Sequence, residues 1–327
     1  LNELFVELSE GDDCTLEDIL EITLVANPIM HHILLGIDPV NLGGAPFALT
    51  TTEALELRAK DLDLNIHPGG RVYVLPCIAG HVGADSAGVI LAEHPEQDAE
   101  MTLVIDVGTN AEIVLGNKDR MLVCSTPTGP AFEGAQISSG QRATFGAIER
   151  VRIDRETLEP RFKFFGSDLW SDEPGFEQAL GSIGVTGICG SGIIEAVAEM
   201  FLAGIVSEDG VINGALAEQS PRIFSSGRTW SFTLHTASAH GQSDISVTQN
   251  DIRQIQLAKA ALYAGVKLLQ DHMGTQHIDR IRLAGAFGSH ISLSHAMVLG
   301  LIPDCPLKNV SAAGNAAGMG ARIALLD

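Results

Sequence analysis

Two apolar runs, residues 101–105 and 111–115, flank the segment Asp106-Val107-Gly108-Thr109-Asn110. The spacing predicts a buried strand, a tight glycine turn and a returning strand. The acid then stands at the mouth of a buried strand, and the turn offers backbone N–H groups. A carboxylate able to hold a metal ion and a glycine loop able to approach phosphate lie a few residues apart, which predicts nucleotide chemistry. The bland alternative is a hairpin in which Asp and Asn simply favour the turn, and the pentapeptide alone leaves both readings open.

The rest of the chain sets this turn in an α/β or α+β frame. A third strand over 120–125 completes a meander through the Gly116-Asn117 turn, which favours an antiparallel start to a mixed sheet. Before it, helices are expected over 16–20, 29–36, 50–57 (with Thr50 to Thr52 as caps) and 80–93, and strands over 22–26 and 72–75. After it come a hairpin from 151–153 and 161–165, helices over 193–201 and 252–272, a strand over 278–284 and a closing helix over 312–326. The 327 residues suffice for about two domains. The polar stretch 94–100 divides 1–97 from 98–327.

The formal net charge of -21 makes the surface repel phosphate backbones and anionic lipids, so nucleic acid and membrane partners are not expected. No apolar run approaches the roughly 20 residues of a membrane span, and no basic-then-apolar start marks a signal peptide. The absent initial Met suggests a piece of something longer. The 5 cysteines are odd in number and dispersed, with no CxxC pair, which points away from disulfides, zinc and an iron–sulfur cluster and towards the cytoplasm.

Three further segments keep company with Asp106. Gly187-Ile188-Cys189-Gly190-Ser191-Gly192 precedes an amphipathic helix, where free N–H groups and the positive dipole end suit an anion; a ligand-free junction is the alternative. Leu283-Ala284-Gly285-Ala286-Phe287-Gly288-Ser289 follows a strand, and its small residues let a ring or phosphate lie against the backbone. Thr128-Gly129-Pro130-Ala131-Phe132-Glu133-Gly134 ends the meander, and Glu133 reads equally as a second acid near phosphate or as a solvated loop residue. Asp85 is either a carboxylate at a helix start or a contributor to the site. There is no GxxxxGK[ST] loop and no strand-borne GxGxxG. His31 and His32 are adjacent and do not converge on one ion.

Taken together these motifs resemble the actin, heat-shock chaperone and sugar-kinase superfamily of ATPases. Asp106 to Asn110 resembles its second phosphate motif, and Leu283 to Gly288 its adenosine motif. Asn27-Pro28-Ile29-Met30-His31-His32, Ala79-Gly80-His81-Val82-Gly83-Ala84-Asp85, the Gly129 to Ala135 segment and the Gly187 to Gly192 segment sharpen the resemblance to reductive activators of corrinoid proteins. It covers nearly the whole chain, and the order of the motifs is more specific than any one of them.

The resemblance implies a ribonuclease-H-like (actin-like ATPase) α/β fold: residues 98–327 as one complete half, and 1–97 as the tail of the other. It implies a cytoplasmic ATPase, a homodimer, that returns Co(II) corrinoid on a methyltransferase partner to Co(I). Full-length relatives carry a 2Fe–2S cluster in an N-terminal domain and a first Asp-x-Gly-Thr motif; neither occurs here, so complete ATP hydrolysis is expected to need more chain. By the same resemblance Asp106 orients Mg²⁺, Gly108, Thr109 and Asn110 hold phosphate, Gly129, Glu133 and Gly134 stand near it, Gly190, Ser191 and Gly192 add helix N-terminal groups, and Gly285, Ala286 and Gly288 flank the nucleoside of ATP. Two rivals stay open: a small-molecule kinase on the same fold, which needs an acceptor-side base, and a nucleotide-gated binding module without turnover.

Overall fold

A computed structural model describes residues 1–11, 14–237, 243–288 and 290–327. The chain opens with helix α1 (Asn2–Gly11), strand β1 (Glu21–Leu24), helix α2 (Pro28–Leu34), strands β2 (Leu55–Arg58) and β3 (Arg71–Val74), and helix α3 (Ala84–Glu93). β1 runs parallel to β3, and β2 antiparallel to it. Val72 and Val74 of β3 join Phe5, Ala59, Leu64 and Ile66 in a small core of their own.

Strand β2 corrects the helix expected over 50–57. Its Leu and Glu residues favour a helix in isolation, but tertiary context overrides that weak preference. Leu55 and Leu57 turn inward while Glu56 and Arg58 face solvent, a period of two that only a strand satisfies. The Thr50 N–H caps nothing; it donates to His32 Nε2 at 3.0 Å. Helix α3 also begins later than expected. Residues 79–82 close a tight bridge, and the first helical amides, of Ala84 and Asp85, donate to the Ala26 carbonyl at 2.9 and 3.3 Å.

The meander follows as expected, in strands β4 (Thr102–Val107), β5 (Ala111–Gly116) and β6 (Met121–Thr126). Next come β7 (Ala147–Ile153), β8 (Pro160–Phe164), α4 (Phe176–Leu180), β9 (Gly187–Ile188), α5 (Gly190–Leu202), β10 (Ile223–Ser226), β11 (Thr229–His235) and β12 (Ile245–Thr248). The chain ends with α6 (Gln249–Met273), β13 (Arg280–Ala284), α7 (Gly285–Gly288), α8 (Leu293–Val298), β14 (Val310–Gly314) and α9 (Ala316–Leu326). β14 is a second correction, since residues 312–314 were expected to open the closing helix. It lies parallel to β13, and α9 starts only after Asn315, whose side chain accepts the Gly318 N–H at 3.0 Å.

The main sheet has the order β14-β13-β4-β5-β6, with β4, β13 and β14 parallel and β5 and β6 antiparallel additions. The two faces of this sheet are divided by side-chain alternation. Leu103, Ile105, Ile113 and Leu115 point into the large core shared with α5 and α6. Val104, Val114 and Ala284 point the other way and pack with Val89 of α3 and Ala316 of α9. Helices α3 and α9 touch closely enough that a Cβ on Gly320 would stand 1.9 Å from the Gly88 carbonyl. Helices thus cover both faces of a mixed sheet, the ribonuclease-H-like arrangement that the resemblance implied. No helix among the described residues is long and apolar enough to cross a membrane.

Candidate functional site

Asp106 shares its sheet face with Val104, the face that α3 and α9 cover. In register across the sheet, Ala284 stands beside Asp106, Glu112 opposite Asp106, and Ser125 opposite Glu112. Two carboxylates therefore face each other in one antiparallel pair, an arrangement that repulsion disfavours. A third, Asp85, enters from the N-terminus of α3. Its Oδ1 accepts the Ser86 N–H at 2.8 Å.

The electrostatics follow from this crowding. Burial, and then the charge of Asp85, pushes the Asp106 carboxyl up to about 6. Burial pushes Glu112 up to about 7, with Asp85 and Asp106 adding to the rise and the Ser125 hydroxyl opposing it. Asp85 is raised as well, mainly by burial. Ser125 Oγ donates to Glu112 Oε1 at 3.0 Å.

The turn after β4 is clamped from below. The Thr128 hydroxyl donates to the Gly108 and Thr109 carbonyls at 2.8 and 3.0 Å, and the Gly129 N–H donates to Thr109 O at 2.9 Å. These bonds occupy carbonyls and leave the outer side of the turn, with exposed Thr109 and Asn110, open. The Thr109 hydroxyl donates to the Glu133 carboxylate. Gly285 closes the other side with φ +86°, where a Cβ would stand 2.5 Å from Asp106 Oδ1 and 3.0 Å from Val107 O. Only glycine permits this approach of backbone to carboxylate.

Glu133 also lines a cleft of about 490 Å³, together with Gly190 and Ser191 at the start of α5, Arg142, Glu149 and His290. The structure therefore gathers Asp106, Gly108, Thr109, Asn110, Gly129 and Gly285 around one turn, and Glu133, Gly190 and Ser191 around an adjoining cleft, with the Thr109–Glu133 bond joining them. Gly134, Gly192 and Gly288 have packing neighbours that explain their lack of a side chain. A Cβ on each would meet Gln141 O at 2.4 Å, Ile148 O at 2.2 Å or Leu283 O at 3.0 Å, respectively. Ala286 lies in α7, and its side chain is outside the described residues.

Glu112, Glu149 and His290 escaped sequence reasoning, and Asp85 was left undecided. Glu112 had a usable signal: a three-residue turn between Val107 and Ala111 places it opposite Asp106. Among the described residues no three His, Cys, Asp or Glu side chains gather to hold a metal. The chemistry of the Asp106 turn still fits Mg²⁺, which commonly takes one or two carboxylates and completes its shell with water and phosphate oxygens. The raised, uncompensated carboxyls are what a divalent cation would relieve. The five cysteines are all free, and nothing among the described residues fits an iron–sulfur cluster.

The family described as the C-terminal domain of RACo, the ASKHA domain, matches residues 100–327, and the RACo middle region matches residues 1–97. The corrinoid activation enzyme RamQ of Eubacterium limosum is 35% identical over 336 residues, covering 100% of this chain and 53% of RamQ. The Co(II) methylated amine-specific corrinoid protein reductase of Methanosarcina barkeri is 28% identical over 254 residues, covering 73% of this chain and 42% of the reductase. A solved reductive activator for corrinoid, iron–sulfur protein superposes with a TM-score of 0.82 at 33% identity, covering 100% of this chain and 50% of that one. The chain spans about half the length of these relatives.

Proposed function

The chain belongs to the RACo family, whose ASKHA domain it carries, and from that premise we propose that it is the ATP-handling region of a reductive activator returning Co(II) corrinoid to Co(I) for methyl transfer. The observation that carries the reading is Asp106: a strand-end carboxylate beside a phosphate-sized turn, abutted by Gly285 and opposed by acids rather than neutralised. The names of the relatives, a corrinoid activation enzyme and a corrinoid protein reductase among them, support a corrinoid protein as partner. A homodimer, a cytoplasmic setting and a division near residue 97 belong to the same reading.

In this reading Asp106 orients the metal shell, with Gly108, Thr109 and Asn110 on phosphate. Glu133 positions the Thr109 hydroxyl, and Gly129 and Gly134 shape the loop that carries it. Gly190, Ser191 and Gly192 set the start of α5 beside the cleft, and Gly285, Ala286 and Gly288 flank the nucleoside. Mg²⁺, when bound, would supply the positive charge that the Asp85–Asp106–Glu112 group lacks. Asp85 belongs to the first part of the chain and Asp106 to the second, so their mutual repulsion opposes closure of the two parts. Neutralising it favours a closed state, and a partner that binds open and closed states differently is thereby coupled to nucleotide. The single electron for cobalt comes from a low-potential donor outside these residues.

The test mixes the whole protein with a Co(II) corrinoid protein, a low-potential reductant and ATP while the Co(I) absorption is followed. Co(I) should form with ATP and fail to form without it. Equal Co(I) formation in both cases would remove the proposed role of ATP.

A further inference from the structure

The β7–β8 hairpin carries an irregularity that points into the cleft. Ile148 pairs with Phe164 and Arg150 with Lys163, so two steps along β7 match one along β8 and Glu149 is the extra residue. A bulge of this kind interrupts the alternation of side chains and re-aims one of them, often beside a functional site. Here the re-aimed residue lines the cleft that Glu133 joins to the Asp106 turn. The Glu149 carboxylate is half-buried and has no hydrogen-bond or ion-pair partner among the described residues.

An ionised carboxylate only accepts hydrogen bonds, so its complement is a ligand with donors. Its neighbours narrow the class. Arg142, also without an ion-pair partner among the described residues, lines the same cleft and suits an anion. Phe165, 38% exposed, offers a flat apolar surface there. A nucleotide meets all three demands, since its phosphates are anionic, its base is flat and its sugar hydroxyls donate.

We propose that Glu149 reads the ribose of the bound nucleotide, accepting hydrogen bonds from its vicinal hydroxyls. This rests on the nucleotide reading above and adds to it a residue that selects ribonucleotides over their deoxy counterparts.

The experiment measures binding of ATP, 2′-deoxy-ATP and 3′-deoxy-ATP to the whole protein with Mg²⁺, for the natural chain, Glu149→Gln and Glu149→Asp. Hydrogen bonds to a charged acceptor predict that the natural chain binds ATP about 10-fold more tightly than at least one deoxy analogue. Glu149→Gln should bring all three to within about 2-fold of one another by weakening ATP alone, raising KM for ATP without lowering kcat. Glu149→Asp should retain part of the preference. Equal weakening of all three nucleotides by Glu149→Gln would overturn the assignment. So would a natural chain that ignores the sugar, and that result leaves the nucleotide reading intact. A natural chain that binds no nucleotide overturns both.

Discussion

Among the described residues, the carboxylates around Glu195 and those around Asp106 are treated in opposite ways. Glu195 of α5, 1% exposed, receives Arg150 at 3.0 Å, Arg152 at 2.6 Å and the Val151 N–H at 3.0 Å. One turn on, Glu199 receives the Ile153 N–H at 3.1 Å and His295 Nε2 at 2.8 Å. These side chains finish the hydrogen bonding of the β7 edge and fasten it to α5. Around Asp106 the acids face one another instead, with glycine and hydroxyl neighbours and raised proton affinity. The first group is complete within the protein. The second is completed only by something that binds, and such unpaired groups are what a functional site tends to leave exposed to measurement.

The sharpest contrast comes from neutralising one acid in each group. Asp106→Asn in the whole protein should lower ATP-dependent formation of Co(I) on the order of 100-fold or more, as loss of a group aimed at developing phosphate charge does. The same change should raise the unfolding midpoint at pH 8, because it removes an uncompensated charge. A lower midpoint, or undiminished activation, would break the comparison. Glu195→Gln should do the reverse to stability. It removes the charge that two half-exposed arginines face, and each of them keeps a backbone carbonyl, so the loss should be about 1–3 kcal/mol. Urea unfolding measures it, and a loss below about 1 kcal/mol would show that the partners of Glu195 do not depend on its charge.

Stability against pH separates the groups again. Asp106 and Glu112 have folded-state values of about 6 and 7 against ordinary values of 3.8 and 4.5. The folded state therefore holds protons that the unfolded chain has released. This stabilisation is fully present below about pH 4 and is lost as pH rises through 6 to 7, a fall on the order of 2 kcal/mol after allowing for partial exposure. Unfolding midpoints from pH 4.5 to 8 should show it in metal-free buffer. A pair of changes, Asp106→Asn with Glu112→Gln, should flatten the profile, and a profile that keeps its slope would assign the titration elsewhere.

Much of the fold was visible in the sequence because strong periodicity and turn chemistry agreed. The β4–β5–β6 meander alternates cleanly around glycine turns, and α6 has a capping box of Thr248 and Asp251 at its start and Gly274 at its end. What stayed hidden depended on tertiary partners. Leu55-Glu56-Leu57 favours a helix until β3 offers an edge to pair with, and Ser311-Ala312-Ala313-Gly314 has no hydrophobic alternation to mark a strand. Of the candidate site, Asp106 was singled out from its loop, and Glu133 stood as one of two readings of its own. Asp85 stood open in the same way, because only the packing of α3 on the main sheet brings it there, and Glu149 was missed, because a bulge has no reliable sequence signature.

The smallest expected effect lies at the edge of the unsatisfied group. Ser125 Oγ donates to Glu112 and is the larger of the two hydrogen-bond interactions that oppose the rise of that acid. The hydroxyl favours the ionised form, so Ser125→Ala should move Glu112 higher still. At pH 8 the loss should be about 1 kcal/mol, the usual net worth of such a bond. At pH 5 Glu112 holds its proton in the folded state, and the loss should shrink to a few tenths of that. The difference between the two pH values therefore reports the charge on Glu112, where a packing defect would cost the same at both. An equal loss at both would mean that Ser125 serves only the β5–β6 pairing, and that Glu112 is no part of the group a cation completes.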